Sequence, residues 1–220
     1  MKSKKLVDGV ILFSFKNRRE MTLSFCRMQE YYESPNKRLF RKKFTMAEFL
    51  TESIKENGKI DYFSYWSGFN VPGNIVNDWW ILHGPDVSAE EQAIFNELQR
   101  HKIDFSKPFY IIGALEGDKR VVRHEIAHGL YTTNESYRRL MQSCTMFLNF
   151  HEPKIYKKME KKLLKMGYNQ EVIDDEIQAY LSSETPKYLM DTFGVDIKGV
   201  PTITEMRKKL KQFNTLEEKV

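Results

Sequence analysis

The spacing of apolar residues divides the chain into two regimes. As far as residue 118, short apolar runs are interspersed with helix-period segments. Beyond it the pattern is helical throughout. Residues 9 to 15 predict a strand, apolar and bounded by Gly9 and Asn17-Arg18-Arg19. Met21 to Met28 alternates enough to predict a second strand. The basic segment Asn36 to Lys43, with Phe40 and Phe44 interleaved, reads as a solvated loop with both aromatics folded inward, or else as a patch for an anionic partner. Thr45 caps a predicted helix, MAEFLTESIKEN, which Gly58 ends. Asp61 to Phe69, DYFSYWSGF, predicts a strand and turn leading to Pro72-Gly73, with Trp79 and Trp80 following on a short apolar stretch. Such an aromatic cluster is read first as core and second as the lining of a substrate groove.

His83 beside Gly84-Pro85 is read as a structural loop residue. Ser88 begins the helix SAEEQAIFNELQRHK, with Glu91 completing a capping box. Phe109 to Leu115, FYIIGAL, is the clearest strand signal, and Glu116-Gly117-Asp118 turns the chain into the next helix. The helices expected after it cover Asn134 to Leu148, Glu152 to Met166 with a solvated lysine face, Asn169 to Ser183, the segment PKYLMDTF, and Thr204 to Phe213. The tail after Asn214 is expected to fray. The predicted fold class is α+β: an N-terminal lobe over 1–118 with a mixed sheet and helices, then a helical lobe over 119–220.

Candidate chemistry concentrates in His124-Glu125-Ile126-Ala127-His128. The surrounding segment lacks proline and predicts a helix, with Val122, Ile126 and Leu130 as an apolar stripe and His124, His128 and Tyr131 roughly opposite. Residues four apart share a helix face, so both imidazoles can reach one tetrahedral ion. Glu125 projects beside them, placed to act as a general base. A third ligand is sought on the later helix NQEVIDDEIQAYLSS. There Glu176 falls inside the apolar arc of Val172, Ile173, Ile177, Ala179, Tyr180 and Leu181. Asp175 points to the opposite side and Asp174 lies at the edge of the arc. A carboxylate inside an apolar face is costly unless paired or bound to metal. The dipole of the helix N-terminus accounts for Asp174 and Asp175 without a ligand role.

HEIAHGLY followed by DEIQAY resembles the gluzincin group of zincins, in which HExxH is completed by a Glu on an ExxA-aromatic helix. The resemblance implies a zincin-like fold with the motif helix between the two lobes. It also implies His124, His128 and Glu176 as ligands of one Zn2+ per chain, with Glu125 as catalytic base. The activity implied is hydrolysis of a peptide or protein substrate by a zinc-activated water. Tyr180, Tyr188 and His151 are candidate donors to the developing oxyanion. The strand before the motif helix would be a substrate-binding edge strand, with an interior strand as the alternative. The metzincin pattern does not fit, because Tyr131 and Asn134 stand where it needs Gly and His. The GxMEN-type segment of the aminopeptidase branch is also missing.

Composition narrows the picture modestly. The net charge of +5, from 35 basic and 30 acidic residues, does not argue for nucleic acid. A nucleic-acid reading built on the basic segments at 37–43 and 205–211 ranks last. A zincin-like binding protein without turnover ranks between the two. Cys26 and Cys144 lack metal or redox spacing, which suits a reduced compartment, with a single disulfide as the other option. No stretch approaches membrane-spanning length and the N-terminal apolar run is too short for a signal core, so a cytoplasmic chain without a membrane partner is expected.

Overall fold

A computed structural model describes residues 1–57 and 62–214. The helix stop assigned to Gly58, the first residue of the Asp61–Phe69 segment and the tail after Asn214 lie outside the described residues. The chain divides into two compact units, Met1–Val121 and Val122–Val220.

The first unit is built on a mixed sheet of β1 (Lys2–Val7), β2 (Val10–Phe15), β3 (Gly68–Pro72) and β4 (Tyr110–Leu115). Their order is β1-β2-β4-β3. β1 lies antiparallel to β2, β2 runs parallel to β4, and β3 lies antiparallel to β4. The central strands VILFSF and YIIGAL are buried almost throughout, as strands covered on both faces must be. Edge strand β1 is KSKKLV, whose lysines discourage pairing with another chain. The sequence pattern did not announce this strand, because only Leu6 of it is buried.

Among the described residues five α-helices accompany the sheet: α1 (Arg18–Glu33), α2 (Met46–Asn57), α3 (Tyr62–Tyr65), α4 (Gly73–His83) and α5 (Ala89–Arg100). Three expectations change here. Met21–Met28 is not a strand but the middle of α1. Asn17 caps that helix by accepting from the Glu20 N–H, and Met21, Phe25 and Met28 are buried at helical spacing. In the Asp61–Phe69 segment, Tyr62–Tyr65 forms one helical turn and the strand begins only at Gly68. β4 is interior, bonded to β2 on one side and β3 on the other, so it cannot serve as the substrate edge strand.

The core of this unit is aromatic. Phe25 meets Phe13 and Phe15 edge-on and stacks on Phe69 at 5.6 Å. Gly113 lets α1 come this close, because a Cβ there would stand 2.7 Å from the Phe25 ring. Phe69 and Trp79 are buried, with Tyr62, Trp66 and Trp80 packed partly buried against the same core. Phe44 is also folded inward, whereas Phe40 is 44% exposed. His83 is structural: its Nε2 accepts from the Phe44 N–H, its Nδ1 donates to the Trp79 carbonyl, and its ring stacks on Trp79. Beside it Arg27 and Glu91 form an ion pair, each 1% exposed. The Arg27 guanidinium also donates to the carbonyls of Phe44 and Asp86. Glu91 meanwhile accepts from the Ser88 N–H in the capping box of α5.

Among its described residues the second unit contains helices only: α6 (Lys119–Thr133, which begins before the division), α7 (Glu135–His151), α8 (Pro153–Lys165), α9 (Ile173–Ser183), α10 (Pro186–Phe193) and α11 (Pro201–Phe213). Helix α9 is central and packs on α7, α8 and α11. Asn169 caps a short 3-10 turn, Gln170–Val172, that leads into it. Cys26 and Cys144 are both free and buried. Among the described residues no helix is long and apolar enough to cross a membrane.

Candidate metal centre

The HEIAH residues lie within α6, and Ile126 and Leu130 are buried as the apolar stripe requires. The second contributor is α9, where Glu176, Tyr180 and Ser183 recur at helical spacing along one face. His124, His128 and Glu176 each present a ligand-type atom, and these atoms lie within 4.8 Å of one another. His124 Nε2 and His128 Nε2 are 3.3 Å apart, and His128 Nε2 is 3.6 Å from Glu176 Oε1. The Glu176 side chain is 12% exposed.

The outer nitrogens of both rings are tied down. His128 Nδ1 donates to Asp175 Oδ2 at 3.0 Å. Ser183 Oγ gives its own proton to the Ala179 carbonyl at 2.6 Å, so it is the acceptor for His124 Nδ1–H at 3.2 Å. The hydrogen bonds made by both Nδ1 atoms leave His124 Nε2 and His128 Nε2 turned toward each other and toward the Glu176 carboxylate. Either a proton on His128 Nε2 or a metal ion satisfies this grouping.

Dimensions test what that cation could be. A tetrahedral ion with bonds of about 2.0–2.1 Å holds its ligand atoms about 3.4 Å apart. The two measured separations, 3.3 and 3.6 Å, bracket that value. The donor set also fits zinc: two imidazoles, which ligate once Nε2 is free of its proton, and one carboxylate.

Electrostatics point the same way. Burial alone would favour a neutral His128, but the carboxylates of Asp175 and Glu176, the Asp175 hydrogen bond and the charge of Glu125 outweigh it. They hold the His128 pKa well above the usual histidine range. A metal ion bound here would displace the proton from His128 Nε2.

The three consecutive acids of α9 have separate partners. Asp174 accepts from the Tyr156 hydroxyl at 2.7 Å. Asp175 accepts from His128 and also, at 2.8 Å, from Gln178 Nε2. Gln178 in turn accepts from the buried Tyr137 hydroxyl at 3.0 Å, so a chain of side-chain bonds runs from α7 through α9 to His128. Sequence reasoning missed Asp175, Ser183, Gln178 and Tyr137. It set Asp175 on the far side of α9, and the structure corrects this. The two nitrogens of one imidazole face different ways, so His128 reaches Glu176 with one and Asp175 with the other. Ser183 could have been found from its helical spacing to Glu176 and Tyr180.

Of the suggested oxyanion donors, Tyr180 is buried, bonds Tyr168 through its hydroxyl and lays its ring on His124 at 4.5 Å. Burial, together with Tyr168, pushes its pKa up, so it stays a phenol. Tyr188 stacks on Tyr180 at 6.2 Å. His151 ends α7, exposed, against Phe147 and Phe150. Glu125 is half-buried on α6. Comparison with family models, curated proteins and solved structures finds no match to this chain.

Proposed function

We propose that this protein is a zinc-dependent peptidase of the gluzincin kind, with a zincin-like fold and a single zinc site in its helical unit. His124, His128 and Glu176 would hold the ion. Bound there, zinc would supply Lewis-acid chemistry, acidifying a water and polarising the carbonyl to be attacked. The observation that carries the reading is the convergence of His124 Nε2, His128 Nε2 and the Glu176 carboxylate, all within 4.8 Å and with two separations of 3.3 and 3.6 Å.

The chain's own groups supply the rest. Asp175 and Ser183 fix the ring orientations and tautomers, so no rotation is needed when the ion binds. Glu125 takes the proton from the attacking water and hands it to the departing amine. Placing this carboxylate next to His128 serves proton transfer, whereas a site that only holds metal has no use for it. The substrate class is a peptide or protein.

The test is hydrolysis of a mixed peptide library by the zinc-loaded protein and by Glu125→Gln. The reading predicts cleavage by the parent and a loss of about 100-fold or more in the variant, with metal content unchanged. Equal cleavage by both proteins would refute Glu125 as the base. Zinc held without cleavage by either would leave a binding protein.

A further inference from the structure

The most unusual surface of the second unit is the corner between α7 and α8. Three large apolar side chains stand in solvent near the end of α7: Met146 at 72%, Phe147 at 52% and Phe150 at 80% exposure. They lie on the side of the helix opposite its buried residues Met141, Cys144 and Leu148. A monomer gains nothing from holding such groups in water, and a contiguous set marks an interaction site.

Glu152 turns the chain directly into α8, PKIYKKMEKKLLK. Tyr156, Met159 and Leu163 face inward, and Lys154, Lys157, Lys158, Lys161, Lys162 and Lys165 are all exposed. Among the described residues none of these lysines pairs with a carboxylate. Lys158 donates to the Gly194 carbonyl at 2.9 Å. The only acid on the helix, Glu160, accepts from Gln170. Lys154, Lys157, Lys158 and Lys161 line one groove together with Val195 and Asp196, four cations against one anion.

We infer that the α7–α8 corner is a docking surface for an anionic lipid bilayer. The lysines take the phosphate headgroups, and Met146, Phe147 and Phe150 enter the acyl boundary. Charge complementarity selects the occupant: the unneutralised lysines of α8 attract anionic headgroups, and the exposed apolar side chains at the end of α7, which adjoins α8 in the chain, supply the apolar contact. Lysine stems can lie along apolar surface while their ammonium groups reach the headgroups. A nucleic acid fits less well, since no arginine is present on α8 to grip a phosphate bidentately. Such a surface lies on the membrane rather than crossing it, so it needs no spanning helix.

The experiment is flotation of the full chain with phosphatidylcholine vesicles and with vesicles containing phosphatidylserine. The variants are Lys154→Glu/Lys157→Glu/Lys161→Glu and Phe147→Ser/Phe150→Ser, all at exposed positions, with folding checked by circular dichroism. Binding is expected only to the phosphatidylserine vesicles, reduced about tenfold in each variant and released by high salt. Failure to float with the anionic vesicles, or flotation that neither variant reduces, would overturn the proposal. Lysine-dependent retention of RNA without flotation would assign the face to a polyanion instead. Self-association abolished by Phe147→Ser/Phe150→Ser, again without flotation, would assign it to a second copy of the chain.

Discussion

His128 is held from behind by Asp175, whose Oδ2 accepts from Nδ1 at 3.0 Å while Nε2 looks toward Glu176. In the proposed zinc site this relationship would make Asp175 a positioning residue for His128. Removing it costs orientation and ligand basicity, not a ligand.

Asp175→Asn should therefore lower zinc affinity by about 10–100-fold without abolishing binding. Titration against a competing chelator measures it. The loss should be smaller than in His128→Ala, which removes a ligand outright. An affinity for Asp175→Asn equal to that of the parent would show that the hydrogen bond does not prepare the site.

The Arg27–Glu91 pair makes a different kind of prediction. Breaking a buried pair leaves a charge without compensation, so Arg27→Ala should destabilise by about 3–5 kcal/mol. Replacing both partners with apolar groups, Arg27→Met with Glu91→Leu, should cost far less than the sum of the single changes. Urea unfolding followed by tryptophan fluorescence reads this unit directly, because the guanidinium lies 5.4 Å over the buried Trp79 ring. Additive effects would contradict the pairing.

Burial pushes the thiol pKa of both Cys26 and Cys144 up. The thiolate is the reactive form, so a raised pKa means less thiolate at any given pH. Both should resist a thiol reagent in the native protein at pH about 8, where an exposed cysteine is roughly one-quarter to one-half ionised, and react once the chain is unfolded. Rapid modification of either in the native state would show that its surroundings open.

Where sequence reading succeeded, the signal was local and periodic. The motif helix, the capping box at Ser88, and the Asn169 start ahead of Glu176 each depend on residues within a few positions of one another. Its errors came from contacts made between elements. Met21–Met28 alternates as a strand would, yet Asn17 starts a helix before it and the sheet then buries Met21 and Phe25 at helical spacing. Asp175 looked solvated because a wheel of α9 cannot show a ring arriving from α6. Arg27 and Glu91 lie far apart in sequence, and neither is marked by its neighbours as buried. The interior place of β4 depends on two partners that no local pattern identifies.

The proposed peptidase depends on His124, His128 and Glu176 holding one metal ion. Elemental analysis of the purified, zinc-reconstituted protein beside His128→Ala and Glu176→Ala tests it most directly. About one zinc per chain is expected in the parent, the complement of one such tetrahedral site, and sharply less in both variants. No zinc in the parent after reconstitution, or zinc fully retained by Glu176→Ala, would contradict it.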